Sequence, residues 1–293
     1  MSQPDRPAPD RIARGILAIS AGAAVLTVND AVAKLLTDRH DPVQILFLRN
    51  LVAVPIIAAA ALALRGPSAL RSRKPGLHAL RGLLMLAGTW LYFSGLSLLP
   101  LARATALIFA APLIITALSV PLLGERVGPW RWGAVILGFA GVLIVVQPGG
   151  AAFQAAALLP LGAALAYALL MISARWIGPE DGFWTTMLFI VLFPMLYSAP
   201  FAAAVWTPPR LADLGLFVAC GICGSLGITL IGQAFRLAPA SAVAPFDYTA
   251  LLWATALGWA VWGDVPRGAT VAGALVIVAS GLLVAWREAR AAR

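Results

Sequence analysis

Apolar residues along the chain gather into ten runs of about 20 residues, separated by short polar connectors. That length matches the roughly 30 Å of hydrocarbon that a helix rising about 1.5 Å per residue must cross. The pattern predicts helices near 13–36, 43–64, 77–98, 101–123, 130–147, 153–176, 183–205, 211–236, 240–262 and 267–287. The connectors carry turn chemistry: Gly66-Pro67-Ser68, Gly128-Pro129, Pro148-Gly149-Gly150, Gly178-Pro179 and Pro208-Pro209. None of them is long enough to fold as a separate domain. The expected architecture is an all-α integral membrane protein of ten transmembrane helices, with both termini on one side.

Composition sharpens this picture. Hydrophobic residues make up 61% of the chain, charged residues 11%, and the mean hydropathy is +0.91, far from the averages of soluble domains. The formal charge of +9 invites a nucleic-acid reading, yet the basic residues sit in connectors and span ends and form no long basic arm. They read as topology signals. Ala31-Val32-Ala33 after an arginine-flanked apolar run raises a cleaved signal peptide, which is rejected because the run is longer than a signal core and has a counterpart later in the chain.

That counterpart belongs to a long ungapped self-match at an offset of 139 residues. Pro55 falls on Pro194, Gly82 on Gly221, Gly88 on Gly227, Leu98 on Leu237, Pro100 on Pro239, Gly124-Glu125 on Gly263-Asp264, and Thr116-Ala117-Leu118 on Thr255-Ala256-Leu257. One residue of slip sets Gly22-Ala23-Ala24 on Gly162-Ala163-Ala164. Two repeats are expected, 11–148 and 153–288. Five helices is an odd number, so the second copy must be inverted relative to the first. With the N-terminus inside, fifteen of the 21 lysines and arginines fall on the cytoplasmic side, five fall outside, and Arg49 lies within the second span. The positive-inside rule therefore places both termini in the cytoplasm. Inverted repeats suit alternating access around a central site. No G-x-x-x-x-G-K-[ST] loop is present to drive primary active transport.

Leu99-Pro100-Leu101-Ala102-Arg103-Ala104 entering the fourth span, Gly124-Glu125-Arg126 at its exit and the Gly133/Gly138/Gly141 helix that follows resemble the drug/metabolite transporter superfamily. Its members carry two EamA-type domains of five helices each. The resemblance covers nearly the whole chain, with Gly263-Asp264 standing where a glutamate is typical. Within the superfamily the chain looks most like the YddG-type amino-acid exporters. What this implies is secondary export of amino acids, aromatic and other neutral ones among them, or of related metabolites across a bacterial inner membrane. The alternative is an exporter of drugs or other non-amino-acid metabolites.

Helix faces give candidate substrate contacts independently, since residues at i, i+4 and i+7 share a side. Trp90 and Ser94 of the third span map onto Thr229 and Gln233 of the eighth. Two polar stripes thus occupy equivalent faces and point to a shared cavity. The plainer reading is hydrogen bonding within their own helices. An ionisable group in hydrocarbon is costly unless paired or hydrated, which singles out Asp30, Arg49 and Asp247. Asp30 lies about 26 Å along the first helix from inside and Arg49 about 10 Å along the second from outside. Flanked by Asn29 and Asn50, they would form an outer gate or anchor a substrate carboxylate. Snorkelling of Arg49 and a helix-end aspartate is the competing reading.

Asp247 lies between Phe246 and Tyr248 in a run that also holds Pro239 and Pro245. It suits a substrate ammonium, a proton-coupling step, or a structural partner for Arg236. Tyr167 and Trp253 fit the walls of an aromatic-tolerant pocket, and ordinary packing explains them equally. Cys220 and Cys223 have redox and zinc spacing, but with Gly221, Gly224 and Gly227 they read as a small-residue packing face. His40 and His78 fall at opposite span ends, so no metal cluster, cofactor site or catalytic triad is proposed. A membrane-embedded enzyme or a non-transporting receptor are the rival classes. The expected partners are a small-molecule substrate and the lipid bilayer.

Overall fold

A computed structural model describes residues 9–124, 128–148, 154–177, 181–238 and 243–291. Glu125-Arg126, Gly149-Gly150, Gly178-Pro179 and the stretch 239–242 lie outside the described residues. So do Arg6 and Arg293.

Eleven α-helices run through the described chain, which contains no strand. These are α1 (Pro9–Leu36), α2 (Pro42–Arg65), α3 (Pro75–Leu98), α4 (Leu101–Ile108), α5 (Ala111–Leu123), α6 (Pro129–Val146), α7 (Leu158–Ile177), α8 (Phe183–Ala204), α9 (Leu211–Leu237), α10 (Thr249–Trp262) and α11 (Gly268–Ala291). Short 3-10 turns precede three of them, at Pro67–Leu70, Ala155–Ala157 and Ala244–Tyr248. Counting Leu101–Leu123 as one span, seven described segments are long and apolar enough to cross a bilayer, and shorter apolar helices cover Trp132–Val146 and Gly268–Leu283. Proline at the first position starts α2, α3 and α6, where its missing N–H costs no hydrogen bond. Asp41 caps α2 by accepting from the Val43 amide at 2.9 Å.

Two predicted spans are interrupted. The fourth breaks at Phe109-Ala110, between α4 and α5. The ninth, expected over 240–262, is instead the 3-10 segment Ala244–Tyr248 followed by α10. Pro112 and Pro245 stand beside these breaks, and each lacks an amide for the ladder. The two interruptions meet at offset 139 where Phe109 falls on Tyr248, the last residue of the 3-10 segment, and these two rings pack at a 44° tilt with centroids 4.8 Å apart. Both interrupted spans end on a left-handed glycine, Gly124 and Gly263, each at φ 68°.

The packing follows the same spacing. α1 lies along α9 and α3 along α7, α2 along α8, and α6 along α11. Small residues permit the approach. A Cβ on Gly22 would lie 2.8 Å from Ile231, and one on Gly227 would lie 2.6 Å from Leu26. At the equivalent contact, a Cβ on Gly88 would lie 3.3 Å from Ala166. α3 and α9, which bear the polar stripes, do not pack closely on one another.

Candidate functional site

Asn29, Asp30 and Arg49 come together about 10 Å from one end of the bundle, six or seven residues from the end of α1 and the start of α2. The Asn29 amide donates to Asp30 Oδ1 at 3.0 Å, and the Tyr92 hydroxyl of α3 donates to Asp30 Oδ2 at 3.2 Å. Thr105 of α4 lies 3.3 Å from the same hydroxyl. From α9, the Cys220 thiol donates to Asn29 Oδ1 at 3.2 Å. The Arg49 guanidinium lies 5.3 Å over the Phe93 ring and reaches Cys220. Gly224 leaves the room: a Cβ there would meet Asn29 Oδ1 at 3.1 Å and Arg49 Nη1 at 3.8 Å. Five helices thus contribute to one polar cluster inside an apolar bundle.

Its electrostatics are unfinished. Asp30 and Arg49 feel one another's charge, but among the described residues Arg49 makes no ion pair within 4.0 Å. A guanidinium held apart from the nearest carboxylate, with a ring on one face, leaves donors for an incoming acceptor. The carboxylate, already holding two donors, keeps lone pairs for a cation.

One turn beyond Asp30, Lys34 ties three helices at the same end. Its ammonium donates to Leu96 O at 2.7 Å and Leu99 O at 2.6 Å, carbonyls at the end of α3 that the helix leaves unpaired. It also lies 5.4 Å from the centroid of the Trp262 ring on α10. Lys34, Tyr92, Thr105 and Cys220 are functional candidates that the sequence reading missed. The i, i+4 spacing of Asp30 and Lys34 was the available signal for the first. Nothing in the sequence alone aims Tyr92 or Thr105 at Asp30.

The remaining predicted residues scatter more widely. Asp247 is partly buried in the 3-10 turn and within electrostatic reach of Tyr167 on α7 and of Tyr248. Trp90, Tyr167, Phe246 and Trp253 are each at least one-third exposed. Ser94, Thr229 and Gln233 are partly buried. Gln233 accepts from Arg236 at 3.4 Å, and Arg236 also lies over Phe183 at 5.2 Å. No hydrogen bond joins the two polar stripes among the described residues.

His40 and His78 serve two separate contacts. His40 Nε2 lies 3.1 Å from Asp213 Oδ2 at the start of α9, and His78 Nε2 lies 2.9 Å from Asp181 Oδ2 before α8. Burial pushes the Asp181 carboxyl up, but the Arg73 amide, the Ser72 hydroxyl and His78 outweigh it and hold the group at about 2.

Comparison with known proteins adds to this geometry. The profile of the EamA-like transporter family matches residues 13–147. The S-adenosylmethionine uptake transporter of Rickettsia bellii is 29% identical over 269 residues, covering 90% of this chain and 91% of the relative. The riboflavin transporter of Rhizobium johnstonii is 32% identical, over 78% of this chain and 76% of its own. The pseudopaline exporter CntI of Pseudomonas aeruginosa is 24% identical, over 92% and 95%. One solved crystal structure superposes with a TM-score of 0.66 at 23% identity, covering 95% of this chain and 98% of its own.

Proposed function

We propose that this chain, which belongs to the EamA-like transporter family of the drug/metabolite transporter superfamily and is a multi-pass protein of the bacterial inner membrane, moves a small charged metabolite by alternating access. The observation that carries this reading is the cluster of buried Asn29 with partly buried Asp30, Arg49 and Tyr92, which offers both signs of charge inside an apolar bundle. A substrate carboxylate or phosphate meets Arg49, and a substrate cation meets Asp30. Trp90, Tyr167, Phe246, Tyr248 and Trp253 supply ring faces, with Ser94, Thr229, Gln233 and Asp247 as polar contacts across the gap between α3 and α9.

The architecture in this reading is ten spans. α4 with α5 forms the fourth, and the 3-10 turn with α10 forms the ninth. The halves, 11–148 and 153–288, are inverted repeats with both termini cytoplasmic. The matched interruptions and matched glycine caps 139 residues apart support the repeat, and the excess of basic residues supports the orientation.

Amino-acid export is the weaker form of this proposal. The relatives are named for S-adenosylmethionine, riboflavin and pseudopaline, which favours other metabolites. S-adenosylmethionine joins a purine ring to a zwitterionic head and so fits a charged cluster with aromatic walls. Riboflavin offers a flat ring without that head. The test is counterflow into proteoliposomes preloaded with S-adenosylmethionine, riboflavin or an amino-acid mixture, with and without a proton gradient. Saturable exchange with S-adenosylmethionine supports the reading, and exchange with uncharged riboflavin alone contradicts its charged-substrate part. Exchange with amino acids alone restores the narrower one, and binding without flux points to a receptor.

A further inference from the structure

Away from the proposed substrate cluster, at the start of α4, a pocket of about 210 Å³ is bordered by Arg103, Gln154, Asp264, Arg267 and Thr270. Arg103 is 7% exposed. Its Nη1 donates to Gln154 Oε1 at 3.0 Å and its Nη2 to Val145 O at 3.1 Å, while Nε has no hydrogen-bond partner. Both acceptors are neutral. Arg267 is close enough to act on Arg103 electrostatically, and among the described residues neither guanidinium has an ion pair within 4.0 Å. Like charges around one concavity repel unless an anion joins them. The 24-residue helix α11 also starts here. The Val271 amide is bonded to Arg267 O, so the amides ahead of it in the first turn add donors of the kind that hold anions. Asp264 opposes an anion, but its charge also acts on Lys34.

A second concavity adjoins this one. An apolar groove of about 460 Å³ shares Ala102, Pro266 and Thr270 with the pocket and continues past Leu252, Leu275 and Val278. Leu252 and Leu275 are 71% and 65% exposed, so the groove opens on the outer face of the bundle. A cationic pocket continuous with an apolar groove matches one molecule with a charged phosphate head and an acyl tail. We propose that this is a binding site for an anionic phospholipid, with the phosphodiester between Arg103 and Arg267 and an acyl chain in the groove between α10 and α11. The occupant bridges α4, α10 and α11, and so steadies the end of the bundle at which Lys34 ties α1 to α3.

The test uses the purified full chain in a neutral detergent, read by native mass spectrometry and by thermal unfolding. Titrants are phosphatidylglycerol, phosphatidylcholine, inorganic phosphate and glycerol phosphate. Phosphatidylglycerol should be retained and raise the midpoint. Arg267→Ala, at an exposed position that need not disturb folding, should weaken its binding about tenfold through loss of one charge-assisted contact. Leu252→Ser should weaken phosphatidylglycerol while leaving the effect of glycerol phosphate unchanged. Equal stabilisation by phosphatidylcholine, or unchanged phosphatidylglycerol binding in Arg267→Ala, overturns the proposal. Inorganic phosphate acting as strongly as the lipid assigns the pocket to a free anion and overturns the lipid.

Discussion

Asp30 on α1 and Leu170 on α7 hold equivalent places in the self-match, as do Arg49 on α2 and Leu188 on α8. The first pair is charged and sits in the polar cluster; the second is buried at 1% and 5% exposure in an apolar core with Ala53 and Ile57. Around these two places the scaffolds correspond. Cys220 of α9 contacts Asn29 of α1, and Arg81, its equivalent on α3, donates to Leu170 O of α7 at 2.8 Å. The packing skeleton is shared, but the first place pairs an acid with a guanidinium, whereas the second has leucines there and one buried cation, Arg81. In the proposed mechanism the two shells rock against each other, with the acid and guanidinium that meet the substrate both in the first.

The sharpest way to break this comparison is to make the polar place resemble its apolar counterpart. Arg49→Leu and Asp30→Leu should each lower transport on the order of 100-fold, the scale of losing one charge-assisted substrate contact. The protein should still elute as a folded species on gel filtration, because the equivalent positions already carry leucine. Retained flux would remove the cluster from the mechanism.

The reverse exchange tests the apolar side. Leu188→Arg puts an unpaired guanidinium among Ala53, Ile57 and Leu170 and should cost several kcal/mol of stability, seen as a much lower unfolding midpoint in detergent. A smaller effect should be common to both sides. Gly82→Ala would drive a Cβ into that of Phe193, and Gly221→Ala would set one 2.7 Å from Arg49 O. Each should lose about 1–3 kcal/mol through overpacking, and a large difference between them would argue against matched shells.

The smallest expected effect concerns Asp181, held at about 2 by Arg73, Ser72 and His78. A folded value below the unfolded one, about 3.9, contributes stability above the unfolded value and loses it as pH falls through about 2. Unfolding midpoints should therefore fall between pH 4 and about 2, and Asp181→Asn should flatten that slope.

The long helices were legible in the sequence because bilayer length and proline starts act locally. Asn29, Asp30 and Arg49 also stand out in the sequence, since polar and charged residues in an apolar run are conspicuous, and the structure brings the three together. Other features depend on tertiary packing. The turn at Ala244–Tyr248 replaces the start of an expected helix, where Pro245 supplies no amide. Tyr92 is one aromatic among many until α3 brings its hydroxyl to Asp30. Cys220 lies on a small-residue packing face in the sequence pattern, and its thiol also donates to Asn29. Arg103 looked like a topology signal, although its guanidinium is buried against Val145 and Gln154. The expectation of amino-acid export came from resemblance, and the named relatives point more to other metabolites.

The central claim is that Asp30 and Arg49 bind the transported molecule, and substrate counterflow in proteoliposomes tests it most directly. The wild type should exchange at least one metabolite of the panel saturably, Arg49→Leu should lose exchange of anionic or zwitterionic substrates, and Leu188→Met should behave as wild type. Equal exchange by wild type and Arg49→Leu would contradict the account.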